Sequence, residues 1–198
     1  MSMQYTKVPA TAYDEIQMNA AMVCTSFAPS TGIASGQLGV TSGGVSITFV
    51  PNILDLGEDM DNVPKNTMEL ARIDGEEISI SFTMVTINTQ TAKLAMAAAD
   101  IASNDATKIV ARDVLKTTDF TGDLWIIGDY SAKNKGEGTA GFCAIHVKNV
   151  LSTGGFSWQT KDKGKGQFAN ALKAFRSLED PDTVPFEMYI MTGKDPTP

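Results

Sequence analysis

The sequence has a single histidine, two cysteines, no long apolar run and no basic excess, and each shortage removes a class of function. With His146 alone, there is little room for a Ser-His-Asp or Cys-His nucleophile, or for a metal site built from several imidazoles. Cys143 lies an odd number of strand positions from His146, so the two point to opposite faces and do not pair readily. Cys24 and Cys143 are expected to be free and buried, because no secretory leader is evident. Neither an apolar run of about 18 residues nor a basic-then-apolar leader occurs, so a membrane span and a signal peptide are not expected. Folding in a cytosol is the expectation that follows.

Sixteen Lys and Arg against 23 Asp and Glu give a net charge of -7. Such a surface is poorly suited to gripping a nucleic-acid backbone, which requires cationic side chains to displace phosphate counterions. It remains compatible with a polyanion that slides past without being held. Charged residues make up only 20% and hydrophobic ones 42%, which argues against wholesale disorder. The 198 residues suit one domain with a real core.

The most informative stretch is 77–102. Ile78, Ile80, Phe82 and Met84 alternate with Ser and Thr, the period of a strand buried on one face. Asn88-Thr89-Gln90-Thr91 then supplies capping residues ahead of Ala92-Lys93-Leu94-Ala95-Met96, made of strong helix formers. A flanking helix over about 89–102 is expected. Leu94, Ala97, Ala98 and Ile101 fall on one of its sides, while Ala95, Ala99 and Ala102 leave the other small. That small face suits close packing on the sheet or against another subunit.

Elsewhere the signals are mostly those of strands. Residues 1–35 read as an N-terminal arm, with alternation at Ile16, Met18 and Ala20 that favours a strand while the alanines of 20–21 leave a helix open, and a Gly/Ser loop at 30–36. Val45, Ile47 and Phe49 mark a strand after a Gly-Gly turn. Residues 51–76, bounded by Pro51 and carrying Asp55, Glu58, Asp59, Asp61 and Glu69, read as a long inter-strand loop of the kind usually kept for function. Its acids lack the alternating ligand spacing of a calcium loop, which leaves a solvated or partner-facing loop.

Leu124-Trp125-Ile126-Ile127 is apolar on both faces and reads as a covered strand. On 142–150, Cys143, Ile145 and Val147 face one way and His146 and Lys148 the other, with His146 expected at a surface or interface. Lys161, Lys163 and Lys165 form a basic hairpin tip, suited to a solvated turn or to pairing with an acidic loop on another subunit. Residues 168–177 fit a helix through Phe168, Ala171, Leu172 and Phe175, and equally a strand. In the last strand Val184, Phe186, Met188 and Ile190 are expected to face inward. Gly136-Glu137-Gly138-Thr139-Ala140-Gly141 matches a dinucleotide fingerprint, but the next residues have strand period where the motif needs a helix.

Taken in order, several segments resemble the major tail tube proteins of long, non-contractile-tailed bacteriophages of Gram-positive hosts. They are 55–64 with Asn66-Thr67, Arg72-Ile73-Asp74-Gly75, the strand-helix unit to Asp100, Trp125 to Tyr130, Ala144-Ile145-His146, Leu151 to Phe156 and Asp182 to Ile190. The resemblance spans most of the chain from about residue 13 onward. It implies a single tail tube domain over 1–198, mainly β as a sandwich or barrel with one flanking helix. It further implies stacked homo-hexameric rings in the virion tail, assembled in the host cytoplasm, through which DNA passes during ejection.

Partners implied are tape measure, tail terminator and distal tail proteins, with no enzyme activity, cofactor or metal. Asp55, Glu58, Asp59, Asp61, Ala95, Ala99, Lys161, Lys163 and Lys165 are the candidate contacts between subunits. Three other readings stand beside it: a monomeric β-sandwich binding or adhesion module, whose tryptophan candidates are Trp158 and Trp125, the latter reading as buried; a nucleotide-dependent enzyme using residues 136–141; and the inner tube of a contractile injection machine.

Overall fold

The alternation at Ile78 to Met84 does produce a half-buried strand, and it sits in a large antiparallel sheet. The computed structural model describes Ala12, residues 16–130 and residues 141–191. The first five strands are β1 (Gln17–Ala28), β2 (Ile33–Gln37), β3 (Thr41–Asp55), β4 (Ala71–Met84) and, after helix α1 (Thr89–Met96), β5 (Ala99–Ala102). Then come β6 (Asp105–Ala111), β7 (Thr121–Tyr130), β8 (Gly141–Ser152), β9 (Ser157–Gln159), β10 (Gln167–Ala174) and β11 (Phe186–Met191). The main sheet runs β2-β1-β7-β8-β10-β4-β3, with β11 paired to β8 and β9 to β10. A separate two-stranded ribbon, β5-β6, lies beside α1. The fold is therefore mainly β with one flanking helix.

The sheet curls so that β1 and β3 approach, and Thr41 Oγ1 donates to the Ala21 carbonyl at 3.4 Å. Its concave face holds the core: Ile78, Ile80, Phe82 and Met84 of β4 meet Leu124 and Ile126 of β7 and Leu172 of β10. Asn149, at φ +52°, breaks the alternation of β8, and both Val147 and Val150 join this core. The opposite face of β1, β7 and β8 carries a second cluster of Cys24, Phe27, Trp125, Phe142 and Ala144. The two-sided apolar run at 124–127 thus belongs to a central strand covered on both faces, as its sequence indicates. Cys24 and Cys143 are free and buried, and burial raises both thiol pKa values.

Several boundaries differ from expectation. The N-terminal arm ends early, because residues 17–28 and 33–37 are strands of the main sheet. The helix is capped as anticipated: Asn88 Oδ1 accepts from the Thr91 amide and Thr91 Oγ1 accepts from the Asn88 amide, each at 2.9 Å. However, it stops at Met96, where Ala97 takes φ +61°, and Ala99–Ala102 pairs with β6 instead of extending the helix. Ladder pairing with β6 outweighs alanine's helix preference there.

The ambiguous 168–177 stretch resolves as strand through Ala174: Phe168, Asn170 and Leu172 are buried while Ala169 and Ala171 are exposed. Val184 and Phe186 pack on the core, but Met188 and Ile190 are exposed, because β11 runs past the core along an open edge.

Candidate functional site

The segment expected as a long loop, 51–76, is mostly strand. Pro51 to Asp55 belongs to β3 and Ala71 to Glu76 to β4, and their register runs from Thr41 opposite Met84 to Asp55 opposite Ala71. Pro51 is tolerated because β3 is the last strand of the sheet path, so its missing amide costs no ladder bond on the open side. Only 56–70 is loop, with a 3-10 turn at Met68–Leu70. The result is a long hairpin arm whose far half belongs to neither core cluster of the described residues. Its apolar residues are exposed: Ile53 69%, Ile73 62% and Met68 81%, with Leu54, Leu56 and Met60 close to half exposed.

Of the four candidate acids here, Asp55 is spent on holding the loop. Its Oδ2 accepts from the Asn66 amide and its Oδ1 from the Gly57 amide, both at 2.9 Å, and these bonds lower its pKa. Glu58, Asp59 and Asp61 are exposed at the tip. Sequence inspection grouped the four together because it carries no sign of which carboxylate caps the turn.

Ala95 and Ala99 are 4% and 0% exposed within the chain itself, so neither is open to a neighbouring subunit. The Ala95 carbonyl accepts from Ser152 Oγ at 2.9 Å, fastening α1 to β8. The small face was therefore needed for packing on the sheet, one of the two roles its composition suits.

Lys161, Lys163 and Lys165 lie exposed on the turn between β9 and β10, with Lys163 at φ +52°. At the base of that turn Trp158 is 61% exposed and stacks on Phe168, with ring centroids 5.8 Å apart. Trp125, the other tryptophan, is buried.

His146 departs most from expectation, being only 7% exposed. Its ring stacks on Trp125 at 4.0 Å, with Nε2 2.7 Å from Asp123 Oδ1 and Nδ1 3.1 Å from Glu187 Oε2. Carboxylate oxygens only accept, so both contacts are hydrogen bonds together only when the ring carries both protons. Glu187 also accepts from the Tyr189 hydroxyl at 2.7 Å and from Lys148 at 3.0 Å. Together these donors, the Tyr189 hydroxyl first among them, pull the Glu187 pKa down to about 2. The network joins β7, β8 and β11 through His146 and the Lys148–Glu187 ion pair, and alternation along one strand gave no sign of it.

The fingerprint at 136–141 falls largely on residues outside those described, but its last glycine opens β8. A strand where the motif requires a helix N-terminus removes the dinucleotide reading. A shallow groove of about 580 Å³ on the outer face of β3, β4 and β10 is walled by Ser42, Ser46, Ser81, Thr83, Ala169 and Ala171, and none of its lining residues is charged. Those hydroxyls have no neighbouring base in the lining to activate them. Among the described residues, no helix is long and apolar enough to cross a membrane. No protein-family model matches this sequence, and no curated protein matches it.

Proposed function

We propose that this chain is a structural subunit that assembles with its own copies into stacked hexameric rings, the tube of a long, non-contractile bacteriophage tail. The β3–β4 arm carries the self-assembly part of this reading. It projects a ribbon of large apolar side chains that none of the described residues covers, and a soluble monomer rarely leaves such a patch without a partner. The open edges of β3 and β11 add unpaired backbone groups that can extend a sheet across subunits.

Hexameric order, DNA as cargo, a place in the virion tail after assembly in the host cytoplasm, and tape measure, terminator and distal tail partners follow from the resemblance of the sequence. The net charge of -7 is in keeping with a conduit that does not hold DNA. The inner tube of a contractile injection machine would use the same ring-stacking geometry. Negative-stain electron microscopy across a concentration series tests the reading: rings or hollow tubes are expected, and a monodisperse monomer at every concentration would overturn it.

Exposed Trp158 favours the second reading, a monomeric binding or adhesion module. That reading expects a monomer whose Trp158 fluorescence changes on adding oligosaccharide.

A further inference from the structure

We infer that copies of this chain join head to tail, the acidic tip of the β3–β4 arm of one docking on the basic, aromatic β9–β10 turn of the next. The inference rests on the self-assembly reading and names the two surfaces that meet.

The two tips lie at opposite ends of one strand. Asp55 pairs with Ala71 at the start of β4, so the 56–70 loop caps that end. Met84 at the other end pairs with Phe168, which in turn pairs with Trp158 beside the lysine turn. Fourteen residues of β4 separate them by about 45 Å. They therefore cannot meet within one chain, whereas two copies placed end to end bring them together. Such a contact uses different patches on the two copies, so it repeats from copy to copy, and with the patches at opposite ends of β4 the repeat runs along the strand and builds a stack.

Their chemistry is complementary. Residues 55–70 hold five carboxylates and one lysine, whereas 161–165 holds three lysines and one aspartate. Among the described residues, Glu58, Asp59 and Asp61 form no ion pair, and neither do Lys161, Lys163 and Lys165. Each tip also has exposed apolar groups among its charges: Leu56, Met60 and Met68 on one, Phe156 and Trp158 on the other. An apolar centre with a charged rim is the make-up of a specific contact, in which the aromatic anchor supplies affinity and the charges set orientation and on-rate.

Charge reversal tests this directly. One variant carries Glu58→Lys, Asp59→Lys and Asp61→Lys, and the other Lys161→Glu, Lys163→Glu and Lys165→Glu. All six sites are exposed, so thermal unfolding of each monomer should match the parent. Each variant alone should raise the concentration needed for tube growth about tenfold or more, while an equimolar mixture should recover growth by alternating the two chains. Trp158 fluorescence should shift to the blue in parent tubes and in the mixture but in neither variant alone. Variants that grow at the parent's concentration, or a mixture that stays as inactive as its components, would overturn this pairing while leaving self-assembly intact. A parent chain that remains monomeric throughout would instead overturn the self-assembly reading and this pairing with it.

Discussion

Ile53 lies directly across the β3–β4 ladder from Ile73, and the two side chains share one face of the arm while remaining 69% and 62% exposed. A cross-strand isoleucine pair of this kind strengthens a hairpin by a few tenths of a kcal/mol. That gain is small beside the cost of showing both side chains to water.

Replacing both with threonine keeps β-branching and strand preference while removing much of the apolar surface. Monomer stability in urea should change by less than about 0.5 kcal/mol, as for most exposed substitutions. Tube yield, counted by electron microscopy or pelleting, should fall sharply. Unchanged yield would mean that this ribbon is solvated in the assembly as well.

Ala99→Lys separates packing inside the chain from packing between chains. Ala99 is fully buried at the start of β5, so a lysine there must displace neighbours or bury its ammonium. The expected result is loss of folding, costing about 3 kcal/mol or more, and not a folded monomer that fails to assemble. Circular dichroism of the soluble fraction distinguishes the two outcomes.

Glu187 makes the hold on β11 depend on acidity. Its folded pKa, about 2, lies below the ordinary glutamate value of 4.5, so its contribution is fully present above the ordinary carboxyl range and is lost as pH falls towards 2. With the side chain 38% exposed, solvent screening reduces this contribution to about 1 kcal/mol. Glu187→Gln should therefore be less stable than the parent by that amount at neutral pH, with the gap closing through pH 4 to 2. Amide exchange in β11 should quicken in the same variant. A deficit constant across pH would indicate lost packing in place of lost charge.

Patterns were legible in the sequence wherever apolar alternation coincides with burial, as along Ile78 to Met84 and in the two-sided run at 124–127. The β3–β4 arm was hidden because its apolar residues face no core, so 51–76 reads as irregular once Pro51 and the acids are counted. In β10 a polar residue, Asn170, occupies a core-facing strand position between Phe168 and Leu172, while Ala171 on the outer face completes a spurious helical stripe. The His146 network joins Asp123, Lys148 and Glu187 from three strands, and no local spacing signals such a meeting.

The end of α1 shows local preference giving way to tertiary pairing. Ala97 adopts φ +61°, a conformation costly for any residue with a Cβ, and the Arg112 amide then bonds the Ala98 carbonyl at 2.9 Å as the β5-β6 ribbon begins. Glycine takes such a positive-φ conformation without that penalty but adds chain entropy to the unfolded state. Since Ala97 terminates the helix and does not lie within it, relief of strain should dominate. Ala97→Gly is expected to stabilise the chain by about 0.5 to 1 kcal/mol in urea unfolding, with assembly unchanged. Destabilisation of similar size would show that Ala97 sits in ordinary helical backbone and that the helix runs further toward Ala102.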